Sequence, residues 1–127
     1  MMVAGVGCRR GASAEMIEQA LERAAAACGV DPYCIAALAT ERSKGTEPGI
    51  VAAAARRGLP LRLVDVRELR RMASRVATRS DRVQSAKGVP SIAEAAALAA
   101  AGADARLLGA RVANAVATCA IALGADA

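Results

Sequence analysis

The 127-residue chain contains no histidine, tryptophan or phenylalanine, and Tyr33 is its only aromatic residue. Without histidine there is no Ser-His-Asp triad, no Cys-His pair and no histidine-bound metal. With one aromatic, no stacking platform for nucleic-acid bases can be built, and no nucleic-acid partner is expected. No stretch approaches ~18 apolar residues free of charge, so neither a membrane span nor a membrane partner is expected. The cysteines Cys8, Cys28, Cys34 and Cys119 lie 20, 6 and 85 positions apart and form no C-x-x-C pair. They match neither a zinc site nor a secreted disulfide framework, and no metal or other cofactor is expected. The first residues are apolar and the next basic, the reverse of a secretory signal, which points to a reducing cytoplasm.

Alanine is what the chain has most of: 35 residues, half of the 70 that make up its 55% hydrophobic fraction. Ten Leu, eleven Val, five Ile and four Met remain as larger core formers. That suffices for one small domain over residues 1–127, burying about 60–70% of the unfolded surface.

Apolar runs alternate with segments of helical period. Residues 2–7 are a buried-strand run ending in glycine. Ser13 can cap a following helix in which Met16, Ile17, Ala20, Leu21, Ala24 and Cys28 recur at three and four. Gly29 stands where a left-handed C-cap is wanted. Residues 35–40 form a second strand, and Thr46 is the expected cap of a helix that Gly58 ends. Leu61–Val64 is a third strand, and Asp65 the expected cap of a short helix to about Met72. From residue 73 to 88 the periodicity fades into a basic loop, expected to be flexible. Ser91 and Glu94 form a capping box that opens an Ala-rich helix to Ala101, a face small enough to pack against a symmetry mate. Strands at 106–108 and 118–123 lie too close for a parallel crossover and should be antiparallel. The expected fold is a three-layer α/β/α domain with about five strands, mostly parallel, and one reversed strand near the C-terminus.

The net charge is +5, but residues 56–87 alone hold ten basic and three acidic side chains. Fifteen of the seventeen cations are arginine, the residue suited to forked carboxylate or phosphate contacts. A solvated face is one reading and a polyanionic small molecule the other.

In open α/β sheets ligands bind beyond the carboxyl ends of the strands. There the sequence places Gly7, Cys8, Arg9, Arg10 and Gly11, then Ser13, and then Thr40 to Thr46. The glycines fit neither G-x-G-x-x-G nor the P-loop. The loop does offer backbone amides, a helix N-terminus and two guanidinium groups, which suit a carboxylate. A tight turn with solvated arginines fits the same spacing. Cys8, beside a helix N-terminus and two arginines, is a candidate nucleophile of lowered pKa. Lys44, among Glu41 and Glu47, can make polar contacts to a ligand or form a loop salt bridge.

The run Val3–Glu15 resembles the opening of the C-terminal domain of CbiG, a family of vitamin B12 synthesis that includes the stand-alone CobE proteins. Leu38-Ala-Thr40 with Lys44 and Glu47-Pro-Gly49, Gly58-Leu-Pro-Leu61 and Gly88–Ala97 agree with it in the same order. Met16 departs from the pattern, which expects an acidic residue there, while Arg111 keeps a basic loop before the last strand. The resemblance implies the corrin-ring pathway, in which CbiG opens the δ-lactone of cobalt-precorrin-5A and expels acetaldehyde. Binding of a precorrin-type tetrapyrrole, rich in acetate and propionate arms, is the expectation. Gly7, Cys8, Arg9, Arg10, Gly11, Ser13, Thr40, Lys44 and Arg111 are the candidate ligand-binding residues. Glu41 and Glu47 are the candidates for activating water if the chain is a lactone hydrolase. The arginines of the third strand are expected on the same rim as the 8–11 turn. A nucleotide- or phosphate-binding regulatory module and an interaction partner of a precorrin methyltransferase remain alternatives. Other pathway enzymes are possible partners, and the oligomeric state is open.

Overall fold

The computed structural model describes residues 1–78 and 91–125. Its strands are β1 (Met2–Cys8), β2 (Ala37–Glu41), β3 (Leu61–Val64), β4 (Arg106–Leu107), β5 (Val112–Ala113) and β6 (Ala117–Leu123). The helices are α1 (Ala14–Cys28), α2 (Pro48–Arg57), α3 (Val66–Arg71) and α4 (Ile92–Ala101).

The sheet order is β3-β2-β1-β6-β4, with β5 also paired to β6. β1 runs parallel to β2, and β2 parallel to β3. β6 pairs antiparallel with β1 along its whole length, from Met2↔Leu123 to Cys8↔Ala117. β4 and β5 are antiparallel to β6 on its other edge, so β6 is the one reversed strand. The sheet has six strands rather than about five, the addition being the two-residue β5.

Successive side chains point to opposite faces of a strand, and here the two faces are unlike. Ala4, Val6, Leu38, Cys119 and Ile121 meet Ile17 and Leu21 of α1 and Ile50 of α2. Val3, Ala37, Ala39 and Val64 meet Leu69 of α3 and Ala95 and Ala96 of α4, and Ala122 joins Ala97 and Leu98. The second face is mostly methyl groups, so α4 lies almost on the strands. A Cβ placed on Gly5 would stand 1.9 Å from the Ala93 carbonyl oxygen and 2.7 Å from the Ala97 nitrogen. Ala93 and Ala95 to Leu98 are buried inside their own domain, so most of the helix's alanines are taken up by its own sheet.

The helix ends follow local chemistry. Ser13 Oγ accepts from the Met16 amide at 3.2 Å, and Gly29 ends α1 at φ 68°. Thr46 is not the cap of α2; Glu47 occupies that position, without a side-chain capping bond, because Pro48 already stands inside the first turn. Asp65 precedes α3 but likewise makes no capping bond, its carboxylate pairing instead with Arg42. Ala73–Arg75 is a single 3-10 turn and Val76 is buried, so the expected loop starts as structure; residues 79–88 lie outside the described residues.

Four arginines of the basic segment have structural partners. Arg56 pairs with Glu15 at 2.7 Å and Glu18 at 3.2 Å, and Arg57 with Glu18 at 2.9 Å and with Glu22, tying α2 to α1. Arg62 donates to the Ala100 carbonyl at 3.0 Å, and Arg75 to those of Ala103, at 3.0 Å, and Ala105. Arg57 and Glu18 are 16% and 17% exposed, so solvent screens this pair less than an ordinary surface one. Arg57→Ala is expected to cost about 1–2 kcal/mol in urea unfolding. Arg57→Lys should recover less than half of that, since a point charge cannot bridge two carboxylates as a planar fork does.

Candidate functional site

At the carboxyl ends of β1 to β3 the chain turns into α1, α2 and α3, so those helices present their amino termini to one rim. β6, being reversed, begins at the same rim. At the rim where the end of β1 pairs with the start of β6 lies an open cleft of about 310 Å³. Gly7, Cys8 and Arg9 line it from β1, Asn114 to Thr118 from β6 and the turn before it, and Arg111 and Ile92 from the far side.

The 8–11 turn is fastened at two points. The Arg9 amide donates to the Val116 carbonyl at 2.8 Å, and the Gly11 amide to Glu47 Oε1 at 2.7 Å. Gly11 takes φ 81°, the left-handed region that glycine enters without strain. The amides of Arg9 and Gly11 thus already have acceptors within the chain, and a ligand anion meets the side chains of this turn before its backbone. Arg9 and Arg10 are both exposed.

On the opposite wall Asn114 does four jobs. Its Oδ1 accepts from the amides of Val116 at 3.0 Å and Ala117 at 2.9 Å. Its Nδ2 donates to the Met16 carbonyl at 2.8 Å and to Gln19 Oε1 at 3.1 Å. The turn entering β6 is therefore pinned to α1. Thr118 Oγ1 donates to the Gly7 carbonyl across the sheet at 3.4 Å. Asn114 is the chain's only asparagine, in a stretch without strand periodicity. An asparagine that bonds its own backbone two and three residues on is a recognised turn signal, and it could have been read.

Beneath Arg111, Glu94 is fully buried. It does not return the capping bond to Ser91, although Ser91 Oγ accepts from its amide at 3.4 Å. Its carboxylate accepts instead from the Thr78 amide at 2.8 Å, the Thr78 hydroxyl at 2.9 Å and the Arg111 amide at 2.8 Å.

Of the residues singled out from sequence, Gly7, Cys8, Arg9 and Arg111 line the cleft. Thr40 does not: it is fully buried, its hydroxyl donating to the Val6 carbonyl at 2.8 Å to brace β2 against β1. Ser13 caps α1, and Glu41 is buried at the end of β2. Lys44 and Glu47 stand close enough to Cys8 for their charges to act on its thiol. Cys8 is not an activated nucleophile. Burial pushes its thiol pKa up, and the pull of Lys44 in the other direction does not offset burial with Glu47's repulsion added. Arg62, the third-strand arginine, is not on this rim. It reaches Ala100 and Met1 Sδ, at the far end of the sheet, because α4 ends there and offers an unpaired carbonyl.

The family described as "Cobalamin synthesis G C-terminus" matches residues 2–122. The chain belongs to this family. It is 37% identical over 121 residues to protein CobE from Sinorhizobium sp, covering 95% of this chain and 79% of that one. The crystal structure of CobE, a protein from the cobalamin (vitamin B12) biosynthetic pathway, superposes with a TM-score of 0.90 at 36% identity. That match covers 96% of this chain and 89% of the other. Cobalamin biosynthesis protein chiG from Agrobacterium tumefaciens str. C58 gives 0.78 at 38% identity, covering 99% and 100%. A putative cobalamin biosynthesis protein G homolog from Sulfolobus solfataricus gives 0.72 at 21% identity, covering 95% of this chain and 36% of that one, and so shares the fold. The CbiG C-terminal family membership makes this a cobalamin-biosynthesis protein with a three-layer α/β/α fold.

Proposed function

We propose that the cleft at the β1–β6 rim binds the carboxylate side arms of a precorrin-type tetrapyrrole intermediate. The observation that carries this reading is the placing of Arg9 and Arg111, 102 positions apart in sequence, on the lining of one open cleft. Two arginines on the lining of one cleft suit two carboxylates of one ligand. Family membership supplies the pathway, and the acid arms of its intermediates supply the anions. About 310 Å³ lies at the lower end of ligand-pocket volumes, so the macrocycle enters by one edge with its ring plane outside. Arg10, exposed and next to Arg9 in the turn, and Lys44, whose charge reaches Cys8, are the further cations offered to other arms.

Binding, rather than hydrolysis, is the reading the lining supports. Among its described residues the titratable or nucleophilic groups are the Cys8 thiol, the Thr118 hydroxyl and two arginines, with no carboxylate to activate water. Glu47 has one oxygen bonded to Gly11, and it holds the turn.

The test is fluorescence titration with uroporphyrin I, a tetrapyrrole bearing eight carboxylates. Arg9→Ala with Arg111→Ala is expected to weaken binding at least about thirtyfold. Wild-type affinity should fall steeply between about 50 and 300 mM salt. Unchanged affinity in the double variant would remove the reading. Tight binding of ATP without binding of the porphyrin would favour a nucleotide module instead.

A further inference from the structure

We infer that Glu94 is a positioning residue for this cleft, its buried carboxylate holding the Arg111 backbone and the Thr78 segment together so that Arg111 faces the ligand. The inference rests on the cleft's being the tetrapyrrole site and adds a residue that makes no contact there itself.

Three observations support it. Glu94 is fully buried, and an ionisable side chain is rarely buried without several partners. Its three donors come from two segments far apart in sequence: Thr78, after the 3-10 turn, and Arg111, between β4 and β5. Third, the group it anchors is the main chain of a residue that lines the cleft, two residues along α4 from Ile92, which lines it too. Simple capping of α4 would need only the Ser91 hydroxyl, already bonded to the Glu94 amide.

Two acceptor oxygens are what the job requires. Oε1 serves the Thr78 amide, while Oε2 serves both the Thr78 hydroxyl and the Arg111 amide. A glutamine has one acceptor oxygen and one NH₂, so it satisfies one main-chain donor and turns a donor on the other. Glu94→Gln therefore keeps shape and volume but releases either Thr78 or Arg111. Thr78→Val removes only the hydroxyl bond and leaves both main-chain bonds in place.

The experiment measures two quantities on the full chain: hydrogen exchange of the Thr78 and Arg111 amides, and the dissociation constant for uroporphyrin I. Glu94→Gln is expected to speed exchange and weaken porphyrin binding, each about tenfold, at a temperature where circular dichroism shows it folded. Thr78→Val is expected to weaken binding about threefold, and it carries the test if Glu94→Gln does not fold. A folded Glu94→Gln with wild-type affinity, alongside an Arg111→Ala that has lost it, overturns the positioning role and leaves the cleft standing. Unchanged exchange at both the Thr78 and the Arg111 amide in Glu94→Gln overturns it as well. Absence of porphyrin binding by the wild type, or full affinity in Arg111→Ala, overturns the cleft reading and this inference with it.

Discussion

Gly5→Val is expected to prevent folding, and Gly5→Ala to cost about 3 kcal/mol or more in chemical denaturation. The reason is backbone against backbone. The first side-chain carbon would lie 1.9 Å from the Ala93 oxygen, a distance no relaxation of a side chain can relieve. Either α4 withdraws from the sheet or β1 bends away from β2 and β6, and both routes open a core packed to near-crystalline density. Overpacking usually costs about 1–3 kcal/mol where side chains can yield, so a main-chain clash at the sheet's centre belongs at the top of that range or beyond. Against a total stability of about 5–15 kcal/mol, the valine variant has little left. Gly58→Ala is the control. Gly58 has φ 64° with nothing within 4 Å of its missing Cβ, so it should lose only about 1 kcal/mol. Equal midpoints for Gly5→Ala and the wild type would mean that α4 does not sit on β1 as described.

Thiol chemistry should separate the cysteines by a factor of about a thousand. Cys34 is exposed, whereas Cys119 is fully buried in β6 between the helices and the sheet. Burial, with a smaller push from nearby Cys28, raises the Cys119 pKa to about 12. A disulfide reagent near pH 8 should modify Cys34 within the mixing time and reach Cys119 only through unfolding. The same shift fixes a pH dependence. Well below pH 9 the thiol keeps its proton in both folded and unfolded chains, and stability is unaffected. Between there and about 12 the unfolded chain ionises while the folded one does not, so stability falls as pH rises. At about 1.4 kcal/mol per pH unit, near pH 10.5 the loss from this thiol is about 2 kcal/mol. Cys8 and Cys28, whose thiols burial also pushes up, act in the same direction. Cys119→Ala should flatten the alkaline decline of the urea midpoint. An identical slope in the variant would count against the burial of that thiol.

Elements whose signals are local were legible in the sequence. β1, β2 and β3 are apolar runs closed by glycine, proline or a polar turn, and α1 carries both its serine cap and its glycine stop within its own stretch. β5 was not legible, because two residues carry no periodicity, and their pairing with β6 is a fact of tertiary structure. The partners of the basic segment's arginines were hidden for a related reason. Arg56 and Arg57 find their carboxylates 35 to 41 positions earlier, and Arg62 finds a helix end 38 positions later, so nothing beside them shows that they are taken. Arg9 and Arg111 were each marked as candidates, but their meeting in one cleft was not readable. Glu94 was read as half of a capping box, the correct local grammar, but its carboxylate followed a long-range demand instead.

The reversal of β6 has a consequence for how competence to bind arises. The cleft's walls are the first strand and the last, joined by seven paired positions from Met2↔Leu123 to Cys8↔Ala117. Closing so distant a pair is among the costliest steps in loop entropy and comes with, not before, the assembly of the sheet's centre. If the cleft holds a tetrapyrrole as proposed, a nascent or partly folded chain has no half-formed pocket in which to trap one. A captured tetrapyrrole would report a finished molecule.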